Sequence, residues 1–390
     1  MNASPSSWLS SGEFFTDSPE NSSEWPWTDG PTDTTWRHHQ SVDSVSYEGY
    51  LASAIYITLT GLIAFFGNVI TITVFLTEKE FRKKQQNGFV LNLAIADLSV
   101  CVFAYPSSAI AGYAGRWVLG DVGCTIYGFL CFTFALVSMV TLCVISIYRY
   151  ILICKPQYAH LLTHRRTVYV IIGTWLYALV FTVPPLVGVK RYTYEPMQIT
   201  CSLDWNVQHP GEKAYIAAVL VIVYVLQVLI MCFCYFNIIF KSANLKFAAL
   251  ASEKTKMAAK KDTWKTSVMC LTMVVSFLIA WTPYAVSSTW DILSAEDLPI
   301  IATILPSLFA KSSCMMNPII YACCNTKFRQ AAVKSFRKLC GMCKQKVPLS
   351  TPQVVLAMQR NTEFTSTVEP TGQAFPMRVL PSISATHTAL

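Results

Sequence analysis

The sequence predicts an all-α membrane protein, a bundle of seven transmembrane helices followed by a short amphipathic eighth helix. Three observations predict it. Of 390 residues, 53% are hydrophobic and only 13% are charged. A soluble domain carries roughly 25% charged residues, so a soluble fold of this size would lack the polar groups to cover its surface. Seven mostly apolar runs lie at 51–76, 87–112, 121–153, 167–189, 214–240, 262–291 and 298–323, each near the ~20 residues that a membrane helix needs. The basic residues, finally, alternate between connections in the way that sets a membrane orientation.

That alternation reads as follows. Lys79, Arg82, Lys83 and Lys84 separate the first and second runs, and Lys155, Arg165 and Arg166 the third and fourth. Lys241, Lys246, Lys254, Lys256, Lys260 and Lys261 separate the fifth and sixth, and Lys327, Arg329, Lys334, Arg337 and Lys338 follow the seventh. The other connections hold Arg116, then Lys190, Arg191 and Lys213, then none. The positive-inside rule places the amino terminus outside and the carboxy terminus inside. The net charge of +8 is then a property of the inner face, and no nucleic-acid partner is expected. The 14 cysteines are too dilute for a small disulfide scaffold.

Residues 1–50 read as an extracellular tail, acidic and polar, with glycosylation acceptor patterns at Asn2-Ala-Ser and Asn21-Ser-Ser. The start of the chain has no apolar core preceded by basic residues, so no cleavable signal is expected and the first run acts as the insertion signal. Residues 51–323 form the bundle. In residues 324–345, Phe328, Ala332 and Phe336 recur at i, i+4 and i+8 among basic residues, the pattern of a helix lying on the inner leaflet. Cys340 and Cys343 follow it as candidate palmitoylation sites. Residues 346–390 carry Thr351, Thr362, Thr365, Ser366, Thr367 and Thr371 with no hydrophobic period and read as a disordered cytoplasmic tail.

An ionisable group at membrane depth is costly and therefore informative. Asp97 lies in the second run, Arg149 near the inner end of the third, and Lys311 near the middle of the seventh. Lys311 is the outlier, too deep for its stem to reach either interface. One reading pairs it with a buried carboxylate for structure. The other makes it a desolvated, nucleophilic amine able to condense with an aldehyde as a Schiff base. The residues alone leave both open.

An ordered series of motifs then carries a resemblance. Asn68 follows Gly67, and Leu93-Ala94-Ile95-Ala96-Asp97 lies in the second run. Arg149-Tyr150 ends the third, and Trp175 lies in the fourth. Phe277-Leu278-Ile279-Ala280-Trp281-Thr282-Pro283-Tyr284 and Asn317-Pro318-Ile319-Ile320-Tyr321 mark the sixth and seventh. Over residues 50–340 the series resembles the rhodopsin-like family of G-protein-coupled receptors. Lys311, six residues before Asn317, matches the retinal-binding lysine of opsins. The segments around Trp281, Lys311 and Cys201-Ser202-Leu203-Asp204-Trp205 look most like the neuropsin group of non-visual opsins.

The resemblance implies a light-activated receptor with retinal (11-cis or all-trans) on Lys311, and no enzyme or metal. A buried cation needs an anion. Vertebrate visual opsins carry a glutamate three residues after the span-three cysteine, where this chain has Tyr127, three after Cys124. The remaining candidates are Glu195, Asp204, Asp121 and Asp291; Glu195 matches a loop glutamate of other opsins and is the expected counterion. The resemblance also implies a Cys124–Cys201 disulfide, and Trp281 and Tyr284 against retinal, with Tyr127 and Trp205 as further walls. Pro283, Pro318 and Tyr321 would serve the activating movement; Asn68, Asp97 and Asn317 would form a polar network; Arg149 and Tyr150 would belong to the coupling end. Implied partners are a heterotrimeric G protein, arrestin, a receptor kinase and the lipid of the plasma membrane.

Two departures stand out. Tyr148 replaces the acidic residue that usually precedes Arg149, which removes an inactive-state ion pair. Gln227 stands where proline often bulges the fifth helix, so the sequence leaves that bulge open. Rival readings are an opsin-like retinal photoisomerase with little G-protein signalling, or a chemically gated rhodopsin-like receptor with a coincidental lysine.

Overall fold

The computed structural model describes residues 45–207, 209–248, 254–294 and 298–339. Asn2, Asn21, Cys340, Cys343 and the Ser/Thr-rich tail lie outside the described residues, as do the side chains of Asp291 and of the lysines at 246–261. The chain divides into the units Met1–Phe336 and Arg337–Leu390, and the bundle belongs to the first.

The seven spanning helices are α1 (Tyr47–Thr77), α2 (Gln86–Ala114), α3 (Gly120–Cys154), α4 (His164–Val187), α5 (Pro210–Ser242), α6 (Trp264–Trp290) and α7 (Ile300–Cys324). The expected seven-helix architecture is borne out. A further helix, α8 (Thr326–Leu339), follows α7 after a break at Asn325, whose backbone leaves the helical region. Side-chain caps open two helices: Ser46 accepts from the Gly49 amide before α1, and Thr163 from the Arg166 amide before α4, meeting donors that a helix leaves unpaired in its first turn.

Leu59, Phe66, Leu176, Phe236 and Ile279 are each more than half exposed, while Asn68, Asp97, Ser138, Arg149 and Asn317 are buried. This arrangement suits a lipid solvent, in which polar groups hold helices together and apolar ones face out. Close helix contact needs small residues: a Cβ on Gly67 would meet the Pro318 ring at 2.7 Å, so α1 and α7 approach only because that atom is missing.

Gln227 does not cost α5 its irregular turn. Residues Val219–Val225 form a π-helical turn. Tyr177 of α4 donates its hydroxyl to the Ile222 carbonyl at 3.2 Å, and Gln227 donates to the Tyr177 oxygen at 3.3 Å. A side-chain relay thus supports the turn where proline is absent.

Between α4 and α5 the chain forms a hairpin of β1 (Tyr192–Tyr194) and β2 (Cys201–Leu203), antiparallel with Tyr192 opposite Leu203 and Tyr194 opposite Cys201. A Cys124–Cys201 disulfide ties β2 to α3, as the resemblance implied. Tyr192 presses on Gly128 of α3, where a Cβ would come within 2.7 Å of its ring, and donates to the Thr182 carbonyl at 2.7 Å. The hairpin therefore lies across one end of the bundle as a lid. The opposite end is that of α8.

Candidate functional site

Lys311 and Ser307 stand four residues apart on α7, one turn of the same helix face. Lys311 Nζ donates to Ser307 Oγ at 2.6 Å and lies 3.4 Å from Glu195 Oε2. Ser307 in turn donates to Glu195 at 2.5 Å, and Thr200 donates to it at 2.6 Å. The hairpin turn makes this possible. It closes through the Glu195 amide on the Thr200 carbonyl and the Gln198 amide on the Glu195 carbonyl, with Gln198 in the left-handed region at φ 52°. Burial pushes the Glu195 carboxyl up, but the Lys311 ammonium and the Ser307 and Thr200 hydroxyls outweigh it and hold it below the ordinary glutamate range.

Two of the other anion candidates, Asp121 and Asp204, are engaged elsewhere. Asp121 accepts from the Tyr194 hydroxyl at 2.6 Å, which pushes the Tyr194 phenol up after the larger effect of its burial. Asp204 binds Arg191 at 2.9 Å and Lys190 at 3.5 Å.

Lys311 and Glu195 border a cavity of about 150 Å³ whose walls include Tyr127, Trp205, Phe277, Trp281 and Tyr284. The four aromatic positions expected from the sequence are thus brought to one cavity. Trp281 stacks on Phe277 at 5.7 Å between centroids, meets Tyr284 edge-on at 6.0 Å and donates to Ser313 Oγ at 3.1 Å. Trp205 donates to the Tyr284 hydroxyl at 3.1 Å. Tyr127 shares a 2.6 Å hydrogen bond with Ser108.

Four contributors were missed by sequence reasoning: Ser307, Thr200, Ser313 and Tyr105, whose hydroxyl donates to the Lys311 carbonyl at 2.5 Å. Helical spacing was the one signal that could have found Ser307. Ser313 shares α7 with Lys311 but acts through Trp281 of α6, and Thr200 and Tyr105 approach from the hairpin and from α2, so their spacing to Lys311 carries no signal.

Towards the α8 end, Asp97 accepts from Asn317 at 2.8 Å and from Ser138 at 2.9 Å. The expected network is corrected at Asn68, which donates instead to the Cys314 and Ala64 carbonyls at 3.0 and 2.9 Å. Asn68 thus joins α1 to the α7 backbone and not to the Asp97 carboxylate, because its reach is taken up where Gly67 lets the two helices touch. Its Oδ1 and the Tyr321 hydroxyl find no partner among the described residues.

Arg149 is buried and faces a second cavity of about 450 Å³, lined by Tyr148, Trp264, Met269 and Tyr321. Among the described residues no carboxylate pairs with Arg149. Tyr148 turns its ring edge-on to Phe89 at 5.8 Å. Tyr150 is not in that cavity; it packs on Phe233 of α5 at 5.6 Å. Pro283 lies inside α6 and Pro318 inside α7.

A seven-helix bundle with a lysine–carboxylate pair under a disulfide-pinned lid defines a membrane receptor of the opsin kind. The chain belongs to the 7 transmembrane receptor (rhodopsin family), whose family model matches residues 67–321, and within it to the opsins. It is 32% identical over 322 residues to "Rhodopsin, G0-coupled" of Mizuhopecten yessoensis, covering 81% of this chain and 79% of that one. It is 31% identical to "Opsin-5" of Homo sapiens, covering 74% and 84%. The crystal structure of squid rhodopsin superposes with a TM-score of 0.72 at 26% identity, over 87% of this chain and 98% of that one. The protein is accordingly a multi-pass membrane protein of a family of signalling receptors.

Proposed function

We propose that this protein is a light-activated G-protein-coupled receptor that carries retinal on Lys311, with its hairpin end outside the plasma membrane and its α8 end inside. The observation that carries the reading is the Lys311–Glu195 pair at the wall of an aromatic cavity. Retinal suits that cavity in chemistry: a polyene needs apolar and aromatic walls, and its aldehyde needs one amine. In volume, about 150 Å³ falls short of the roughly 300–1,000 Å³ of small-molecule pockets, so walls such as Met139 and Phe277 must turn aside on loading. Met139, unbranched and flexible, is suited to that.

Retinal, when bound, supplies light absorption and a change of shape. The protein's own residues do the rest. Glu195 offsets positive charge at Lys311, and Ser307 and Thr200 hold Glu195 in register. Trp281 and Tyr284 bear on the cavity from α6, so altered packing there reaches the helix that Pro283 weakens by removing a backbone donor. Asn317 and Asp97 link α7 to α2 and transmit the shift along the core. Arg149, bound by no carboxylate among the described residues, meets the G protein when the cavity at the α8 end widens. Arrestin and a receptor kinase act on the carboxy-terminal tail. The protein is a receptor and not an enzyme.

Purification with 11-cis retinal, and separately with all-trans retinal, tests this. An absorbance band displaced from that of free retinal is expected with one isomer or both, and its complete loss in Lys311→Ala. Light-dependent nucleotide exchange on a G protein is expected of the loaded protein. Release of isomerised retinal without exchange would instead indicate a photoisomerase, and no band at all a chemically gated receptor.

A further inference from the structure

A second buried lysine lies under the lid, away from Lys311. Lys190 leaves α4 just before β1, and its side chain is only 3% exposed. It donates to the Asn206 carbonyl, to Glu212 Oε2 at 3.1 Å on the first turn of α5, and faces Asp204 Oδ2 at 3.5 Å. An ammonium has three donors; here two go to acceptors on two segments, and Asp204 adds an ion pair. Two of those partners, Asp204 and Asn206, flank Trp205. The Asn206 amide also donates to Asp204 Oδ1 at 3.1 Å, and the Asp204 amide to the Arg191 carbonyl at 3.0 Å.

Trp205 is one of the residues, with Glu195, Ser202, Leu203, Tyr284 and Ser307, that border two spaces. It lines the aromatic cavity beside Lys311 and also an outer vestibule of about 550 Å³ bounded by Thr193, Asn206, Ser288 and Thr303. Among the described residues its side chain hydrogen-bonds to Tyr284 of α6 alone, so the backbone on either side of it must be held by something else.

We propose that Lys190 is a positioning residue: its ammonium clamps the residues on both sides of Trp205 to the start of α5 and so keeps Trp205 as the partition between the retinal cavity and the outer vestibule. The clamp governs how readily small reagents, and retinal itself, pass between the two spaces. Breaking one member of a buried ion pair leaves the other charge uncompensated, and the effect is large. The role in retinal passage rests on the retinal reading above; the clamping of the lid does not.

Two measurements separate these. In the retinal-loaded protein, hydroxylamine added in darkness displaces the Lys311 nitrogen from the retinal imine carbon, giving the retinal oxime and the free lysine amine, so the bleaching rate reads passage past Trp205. Lys190→Gln is expected to raise that rate about tenfold or more, and Lys190→Arg, which keeps the charge, to restore most of it. Arg191→Gln, which touches the same Asp204 from a side chain 71% exposed, is expected to change it by less than about twofold. In a Trp205→Phe background, Lys190→Gln is expected to add less than about twofold, because the two act through one element. In the retinal-free protein, amide hydrogen exchange at residues 204–207 is expected to quicken with Lys190→Gln. Unchanged bleaching, an effect that multiplies in full with Trp205→Phe, or unchanged exchange overturns the proposal. A wild type that takes up no retinal defeats the retinal reading and leaves the exchange measurement to decide the clamp. Where Lys190→Gln fails to fold, Glu212→Gln removes one acceptor and is read by the same two measurements.

Discussion

The two ends of the bundle handle buried charge in opposite ways. At the hairpin end Lys311, Lys190 and Arg191 all meet carboxylates, and a disulfide pins the same segment. At the α8 end Arg149 is as buried as any of them, yet no described carboxylate pairs with it, and Tyr148 fills the neighbouring position with an aromatic ring. The first end is fixed and organised around the aromatic cavity beside Lys311. The second is held mainly by packing of Met269, Tyr321 and their neighbours, which is cheaper to rearrange than a set of buried ion pairs. Rigidity where a ligand sits and looseness where a partner docks is what a transmitting bundle needs.

The sharpest way to break that contrast is to remove an anion from the fixed end. Glu195→Gln leaves the Lys311 cation with the Ser307 hydroxyl and no anion, and a loss of about 3–5 kcal/mol of stability at neutral pH is expected. The sign with pH follows from the lowered carboxyl of Glu195. Its contribution is present above the ordinary glutamate value of about 4.3 and is lost as pH falls through the lower folded value. Thermal unfolding of the retinal-free protein should therefore show wild type and variant converging in acid. Equal stabilities at neutral pH would remove Glu195 from its role. In the loaded protein the same change should move the absorbance towards the unprotonated form.

An intermediate effect is expected from tightening the loose end. Tyr148→Glu restores a carboxylate beside Arg149 and should lower nucleotide exchange in darkness by about tenfold, the worth of one buried charge-assisted hydrogen bond of roughly 1.5 kcal/mol. A variant with unchanged dark exchange would mean that the packing around Arg149, and not its missing partner, sets the resting state.

Much of this was legible in the sequence because it depends on position along a single helix. Lys311 stood out as a charge in an apolar run, and Trp281 and Asn317 stood out by motif spacing. The Cys124–Cys201 link and the choice of Glu195 came from resemblance. What was not legible depends on side chains meeting across elements. Thr200 joins Glu195 only because Gln198 turns the chain left-handed between them. Lys190 meets Glu212 across 22 residues, and nothing in either local pattern marks the encounter. The π turn of α5 was left open for the same reason: proline is a local signal, whereas the Tyr177–Gln227 relay that stands in its place spans two helices.

The smallest expected effect isolates burial as the cause of the contrast. Lys334 of α8 lies 3.0 Å from Glu78, and Lys190 lies 3.1 Å from Glu212, so the two pairs match in chemistry and distance. They differ in exposure: 72% for the Lys334 side chain against 3% for Lys190. Water and salt screen the first pair and not the second. Lys334→Gln should cost less than about 0.5 kcal/mol, because Phe328, buried against Phe75, Phe81 and Tyr321, is what docks α8. Unfolding measured at low and at high salt separates the cases. The Lys334 effect should vanish as salt rises, and the Lys190 effect should persist. If both fade together, the pair under the lid is as solvated as the one on α8, and the fixed end owes its rigidity to the disulfide alone.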